Sequence, residues 1–220
     1  ELAIVYEDAW ITVVNKPLGM LSVPGRSNRE SVYNLLRKRR PEEEPLVVHR
    51  LDMATSGLLV VARSLDVYRA LQQQFACRSV EKTYTALLPL ELLARPIPRE
   101  GIIELPIRPD PLDRPRQVVD FVKGRPAVTH YIIKEKIHTS DRSHPLAVEV
   151  EFHPITGRTH QLRVHSAHPA GLGVPILGDA LYGSPACRLY LHASRLSFVH
   201  PLTGVSLDFI ANPRDVGIGM

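Results

Sequence analysis

Apolar and polar positions along this chain recur with two periods, and the switch between them marks the elements. Ile4-Val5-Tyr6 and Trp10-Ile11-Thr12-Val13-Val14 flank the polar pair Glu7-Asp8 and predict a β-hairpin that ends at Asn15-Lys16-Pro17. Gly19 through Arg29, rich in Gly, Pro, Ser and Asn, predicts a loop. Ser31 then caps a predicted short helix, with Val32, Leu35 and Leu36 at helical spacing, that ends before Pro41. Leu46-Val47-Val48 and Leu58-Leu59-Val60-Val61-Ala62 are unbroken apolar runs bounded by turn residues, the pattern of buried strands. Thr55-Ser56-Gly57 is a turn signal, so Asp52 is expected in a polar loop held between two rigid elements.

Ser64 caps a second predicted helix, with Leu65, Tyr68, Leu71 and Phe75 on one face, ending near Arg78-Ser79; Lys82 to Leu88 follows as a strand. Residues 89–127 are dense in proline and predict excursions and short hairpins on the same domain, in which Ile102-Ile103 and Val118-Val119 can still pair as strands. Val128 to Ile137 and Ala147 to Phe152 read as two further strands; in the second, Val148, Val150 and Phe152 alternate with Glu149 and Glu151, the period of a half-buried strand. A turn from Pro154 runs into a helix through His165, and Leu189–Phe198 with Val205–Ile210 predicts a terminal hairpin. Strands outnumber helices without strict βαβ alternation, which favours an α+β fold with a largely antiparallel mixed sheet flanked by helices and long loops. Residues 1–220 are expected to form a single domain, with no repeat of fixed period.

Bulk composition narrows the class. The chain has 220 residues, 44% apolar and 23% charged, and no apolar run near the roughly 18 residues of a membrane span. Glu1-Leu2-Ala3 reads as the start of a strand and not as a signal peptide; residues upstream of Glu1 stay open. Two cysteines, Cys77 and Cys187, argue against a disulfide framework and for a reducing, cytoplasmic setting. A net charge of +4 leans toward a polyanionic partner. The cluster Arg37-Lys38-Arg39-Arg40 is either a solvated helix end, favourable to the helix dipole, or a phosphate contact.

Candidate chemistry gathers in three places: the Asp52 loop, Tyr84 on its strand, and Arg158 before the late helix. A carboxylate beside an arginine stays ionised, fit to act as nucleophile or base. A tyrosine ring can stack on a planar base and its hydroxyl can relay a proton. Each residue also has an ordinary structural role open to it: a turn residue, a core aromatic, a surface ion pair. His160, His165 and His168 are poorly spaced for one metal, since the first pair lies about 140° apart on a helix. No H-E-x-x-H or Gly-rich phosphate loop is present, so neither metal nor cofactor is expected.

His49-Arg50-Leu51-Asp52-Met53-Ala54-Thr55-Ser56-Gly57-Leu58-Leu59 closely resembles the central motif of the RluA-type pseudouridine synthases. Lys82-Thr83-Tyr84 matches their K-x-Y motif, and Gly157 to His165, followed by Pro175-Ile176-Leu177-Gly178-Asp179 and Tyr182-Gly183, matches the third. Order and spacing agree over nearly all of the chain. Asn15-Lys16-Pro17, Leu21 to Arg26, Arg114-Pro115-Arg116-Gln117 and Arg125 to Thr129 point to the subgroup that modifies both rRNA and tRNA. Residue 1 already lies in the catalytic domain, so no S4 domain is expected in this chain; Glu42-Glu43-Glu44 ahead of the motif is a departure.

The resemblance implies isomerisation of uridine in structured RNA, a large-subunit rRNA hairpin or a tRNA anticodon stem-loop; the residues indicate no oligomeric state, and a monomer is the default. The N1–C1′ bond breaks, the base turns, and C5 bonds to C1′. Asp52 is implied as the essential carboxylate, attacking C1′ or removing the C2′ proton; Arg158 keeps it ionised; Tyr84 lies against the uracil and helps to remove the C5 proton. Arg50 fills the place of the flipped base, Leu162 walls the base, and His49, Thr55, Arg114 and Arg116 complete the expected substrate contacts, with Arg125 and the 37–40 cluster as phosphate candidates. The alternatives are a relative with another rRNA target and a non-catalytic RNA-binding module of the same fold. A two-carboxylate glycosidase ranks behind them, because no second acid stands in the motifs.

Overall fold

The computed structural model describes residues 2–25, 29–139 and 144–218. Glu1 and Arg26, both covered by the sequence expectations, lie outside the described residues. In chain order the strands are β1 (Ala3–Glu7), β2 (Ile11–Lys16), β3 (Leu46–Val47), β4 (Ser56–Ala62), β5 (Glu81–Leu88), β6 (Glu100–Glu104), β7 (Ile107–Pro109), β8 (Gln117–Val119), β9 (Val128–His138), β10 (Leu146–Pro154), β11 (Leu191–Val199) and β12 (Ser206–Ile210). The helices are α1 (Val32–Arg39), α2 (Leu65–Ala76) and α3 (Gln161–Ala167). The chain divides into two compact units: Glu1–Lys82 with Ala193–Ala211, and Thr83–His192 with Asn212–Met220.

In the first unit the strand order is β1-β2-β4-β11, with β3 also on β4 and β12 on β11. Antiparallel pairing joins β1 to β2, β2 to β4, β3 to β4 and β11 to β12, as the predicted hairpins require. Every residue of β4 is buried, which explains its unbroken apolar run. Its alternate residues Leu58, Val60 and Ala62 join Ile11 and Val13 of β2, Val67 and Leu71 of α2, and Leu196 and Phe198 of β11 in one core.

Both predicted helix caps form. Ser31 accepts the Asn34 N–H at 3.1 Å and Ser64 accepts that of Val67 at 3.4 Å. The buried face of α2 differs from expectation by a shift around the helix: Val67 and Leu71 are buried, Tyr68 and Phe75 pack at the margin, and Leu65 is exposed. The first turn packs according to what lies below it, which periodicity alone does not encode. β3 is likewise shorter than its apolar run: Val48 lies beyond its end, packed in the same core.

In the second unit the order is β5-β10-β9-β6, all antiparallel, with β7 and β8 forming a separate ribbon. β10 keeps the alternation read from sequence, with Val148, Val150 and Phe152 buried and Glu149 and Glu151 half-buried. Ile102-Ile103 pairs with β9 and Val118-Val119 with β7, so the proline-dense segment supplies strands to two sheets. α3 starts at Gln161, three residues beyond Arg158, so that arginine belongs to the preceding turn.

Gly57, which closes the central motif, sits at φ +118°, and a Cβ there would lie 2.3 Å from the Ala193 carbonyl oxygen and 2.5 Å from its nitrogen. No rotamer relieves a clash between Cβ and backbone. Gly57→Ala is expected to destabilise the protein by about 3 kcal/mol or more. Urea unfolding of the two proteins under identical conditions measures it, and a midpoint within error of wild type would refute the close-approach account.

Candidate active site

The Asp52 loop is fixed from both sides within the first unit. On one side, Ser22, almost fully buried, donates its hydroxyl to the Leu51 carbonyl and accepts the Leu51 N–H, both at 3.0 Å. On the other, Lys16 ends β2 with its side chain wholly buried and its ammonium directed at three carbonyls: Met20 at 2.8 Å, Pro17 at 3.1 Å and Met53 at 3.4 Å. Three N–H donors meet three acceptors, which is the capacity of a charged lysine. Gly19 N–H also donates to the Met53 carbonyl at 2.9 Å, and the Asp52 carbonyl closes its own turn by accepting the Thr55 N–H at 3.0 Å. The residues before and after Asp52 are thus both tied to the 17–22 segment.

Neither Lys16 nor Ser22 was singled out as a functional residue by the sequence reading, although a signal for Lys16 was present. In a strand of period two, Lys16 shares a face with Thr12 and Val14, both buried, so a cation at that position must find partners indoors. Burial pushes its pKa down to about 8, and the nearby Asp52 carboxylate partly opposes that shift.

His49 and Thr55 are both expected to contact substrate, and the structure gives the His49 ring partners within the first unit. The His49 ring stacks on Phe75 with centroids 4.8 Å apart, and its Nε2 accepts the Val60 N–H at 3.2 Å. Burial, reinforced by the charge of Lys82, holds its pKa down at about 3, so the ring is neutral. Thr55 is only 2% exposed. Arg50, between His49 and the Leu51 anchor, is exposed to solvent.

The 37–40 cluster resolves toward ion pairing. Lys38 meets Glu30 at 2.7 Å, Arg39 and Arg40 share Glu7 at 3.3 and 2.7 Å, and Arg37 lies 4.0 Å from Glu44. Glu43, one of the three acids that departed from the family pattern, reaches Arg40 at 3.6 Å and also pairs with Arg63. Cations engaged in this way are poor candidates for phosphate contact, which corrects the more pointed of the two expectations for the cluster.

In the second unit Tyr84 lies on β5 directly across from Phe152, which in turn faces Tyr131 on β9, so these aromatics share one face of the sheet. Tyr84 is half-buried while Phe152 is fully buried. Arg158 stands on a turn braced by Gln161, whose Oε1 accepts the Arg158 N–H at 3.0 Å and the Thr156 hydroxyl at 2.8 Å. The Arg158 guanidinium is exposed and donates through Nε to the Pro126 carbonyl at 3.1 Å. Leu162 on α3 is 7% exposed.

A chain of hydrogen bonds continues inward from that turn. Gln161 Nε2 donates to Thr129 Oγ1 at 2.9 Å, and His165 Nδ1 lies 2.9 Å from the same oxygen. His165 Nε2 is 3.0 Å from the Leu105 carbonyl, which can only accept, so Nε2 carries the proton and Nδ1 receives the threonine hydroxyl. Burial keeps this imidazole neutral, with its pKa pushed down to about 4. Arg163 and Asp179 form a buried two-pronged pair at 2.8 and 2.6 Å, and Asp179 also accepts the Leu181 and Tyr182 N–H groups. The histidines of the third motif are therefore occupied in structure. Among the described residues no group of three or more His, Cys, Asp or Glu is placed to hold a metal ion.

The buried ammonium makes a pH prediction with a definite sign. The folded protein releases the Lys16 proton near pH 8, whereas an unfolded lysine keeps it to about 10.5. Between those values the unfolded chain binds more protons, so stability rises with pH. Relative to Lys16→Met, wild type is expected to gain on the order of 3 kcal/mol from pH 8 to 10.5. Denaturant titrations of both proteins across that range test this, and parallel profiles would contradict it.

Comparison with known proteins agrees with the three motifs. Residues 11–168 match the family model described as RNA pseudouridylate synthase. The chain is 44% identical to the dual-specificity RNA pseudouridine synthase RluA of Escherichia coli (strain K12), over 97% of this chain and 94% of that protein. The protein of the same name from Haemophilus ducreyi is 41% identical, over 95% and 92%. Among solved structures, human RNA pseudouridylate synthase domain containing 1 aligns with a TM-score of 0.76 at 27% identity, covering 96% of this chain and 83% of that one. Human RNA pseudouridylate synthase domain containing 4 gives 0.71 at 26% identity, covering 97% and 90%. Agreement this extensive, in sequence and in fold, is what descent within one family leaves, and the chain belongs to the RluA-type RNA pseudouridine synthases.

Proposed function

We propose that this enzyme isomerises specific uridines to pseudouridine in two kinds of RNA, a large-subunit rRNA hairpin and a tRNA anticodon stem-loop, with Asp52 as its essential carboxylate. The observation that carries the assignment is the presentation of Asp52, whose neighbours on both sides are hydrogen-bonded to the 17–22 segment. A reacting carboxylate gains most from such fixed placement, because positional freedom is lost before the substrate arrives. The dual target is supported by relatives at 41–44% identity that carry the dual-specificity name.

Asp52 acts at the sugar, by attack at C1′ or by removal of the C2′ proton. The N1–C1′ bond breaks, the uracil rotates, C5 bonds to C1′, N1 takes up a proton and C5 loses one. Tyr84 lies against the uracil and assists at C5, Leu162 walls the base, and Arg158 orients the carboxylate. Apart from the proton lost at C5 and the one gained at N1, no group enters or leaves, which fits a sequence with no metal or cofactor motif. The uridine must first leave its stack, at a cost of a few kcal/mol that is smaller in a loop than in a duplex. The exposed, planar guanidinium of Arg50 suits the vacated place. With the 37–40 cluster paired and Arg116 held by Asp113 at 3.3 Å, the exposed Arg114 and Arg125 are the leading phosphate contacts, and Arg116 lies beside them. The enzyme works as a cytoplasmic monomer.

Asp52→Asn and Asp52→Ala are expected to fold and bind RNA yet form no pseudouridine. Tritium release from RNA labelled at uridine C5 measures this, and turnover near wild type in either variant rejects the assignment. A non-catalytic RNA-binding module predicts no release from wild type. RNA affinity is also expected to fall steeply with salt, and Arg114→Ala is expected to reduce the slope of the log–log plot by about 0.7 to 0.9. An unchanged slope removes Arg114 from the phosphate contacts.

A further inference from the structure

The three most exposed large apolar side chains among the described residues all belong to the segment around the β7–β8 ribbon: Leu112 at 94%, Val122 at 90% and Phe121 at 72%. Leu112 lies in the loop that carries Arg114 and Arg116. Phe121 and Val122 form the crest of the turn that follows β8. Single apolar residues at a protein surface are ordinary. An adjacent aromatic and β-branched pair raised on a rigid turn is a different case.

The turn is built to stay in place. Asp120 Oδ1 accepts the Val122 and Lys123 N–H groups, both at 2.9 Å, and the Asp120 carbonyl accepts the Gly124 N–H at 2.8 Å. Its other carboxylate oxygen receives Arg108. The Lys123 N–H and the Arg108 guanidinium hold the Asp120 carboxyl well below the usual range, at about 2. A Cβ on Gly124 would fall 2.3 Å from the Asp120 carbonyl oxygen, so the turn closes only with glycine there. At its base, Val119 packs on Ile107, Ala127 and Val164, and Arg125 pairs with Ile107 on the far side of the turn. The crest residues contribute nothing to that core.

Charge indicates the occupant. Each carboxylate of the segment is engaged locally: Asp120 as above, Asp113 by Arg116 at 3.3 Å, and Asp110 by the Leu112 N–H at 2.9 Å. Arg114, Lys123 and Arg125 remain as exposed cations. An aromatic face bordered by cations fits an unpaired base together with its phosphates.

We propose that the Phe121-Val122 crest is a second RNA contact, in which Phe121 stacks on an unpaired base of the substrate loop while Lys123 and Arg125 meet the adjoining phosphates. The proposal rests on the assignment of RNA as substrate and adds a specificity element for single-stranded loops. The ring is already ordered on its turn, so stacking incurs little further loss of freedom.

The test uses the Asp52→Asn protein, which holds substrate without turnover, and two fluorescein-labelled probes: an RNA hairpin with a uridine-rich loop and a fully paired RNA duplex of equal length. Adding Phe121→Ala is expected to weaken hairpin binding about tenfold and to leave duplex binding unchanged, and Phe121→Trp is expected to restore the hairpin. Unchanged hairpin affinity, equal losses on both probes, or failure of tryptophan to restore binding each overturn the proposal. So does self-association of the Asp52→Asn protein that Phe121→Ala abolishes with RNA affinity intact, which would make the crest a protein-binding surface. Tritium release by wild type keeps the two questions apart: its absence defeats the synthase assignment, whereas release together with unchanged hairpin affinity defeats only the crest.

Discussion

A buried ammonium group holds the loop on which the chemistry depends. Lys16 is fully enclosed, and taking a cation out of water costs several kcal/mol unless its donors are met. Its three protons are met by carbonyls of Pro17, Met20 and Met53, which belong to two segments that no regular element joins. Replacing the lysine with an apolar residue would leave those carbonyls without their donor. The arrangement is therefore cooperative: the loop shields the lysine, and the lysine fixes the loop. The charge also faces Asp52, which partly offsets the effect of burial on the lysine, so the same group serves placement and electrostatics.

The third motif follows a similar logic with neutral groups. Gln161 spends its amide on the Arg158 turn and on Thr129, Thr129 passes a hydrogen bond to His165, and His165 ends the chain at the Leu105 carbonyl. The Arg163–Asp179 pair pins the segment carrying Tyr182, whose hydroxyl reaches Gln117 N–H at 2.7 Å and His160 Nδ1 at 2.8 Å. His160 adopts φ +53°, a strained value for a residue with a Cβ, and this hydrogen bond is among the forces that hold it there. Most of the polar residues that mark the motif in sequence thus hold the Arg158 turn in shape and leave few side chains to meet substrate.

Local patterns were legible wherever local forces decide. The caps at Ser31 and Ser64, the alternation along β10 and the terminal hairpin all form as the sequence indicates. What the sequence leaves open is the partner that folding brings to a side chain. His49 reads as a polar loop residue until Phe75 and the Val60 N–H are brought to it. The 37–40 cluster reads equally as a solvated helix end or a phosphate contact until Glu7 and Glu30 are found beside it. Lys16 bonds to Met53 across 37 positions of sequence, a relation that no window of helical or strand period can reveal.

Gly57 meets the backbone of Ala193, and β4, the strand it opens, has β11 as a neighbour. The first unit is thus completed by a segment made late, after the whole span from Thr83 to His192 has been synthesised. During translation the sheet beside the Asp52 loop must wait for that late strand, with one edge of a wholly buried strand uncovered meanwhile. A polypeptide cut short before Ala193 keeps all three signature motifs in its sequence, yet lacks the strand that covers the one carrying the end of the first. Synthesis of β11 therefore decides when the strand that follows the catalytic loop is first covered on both edges.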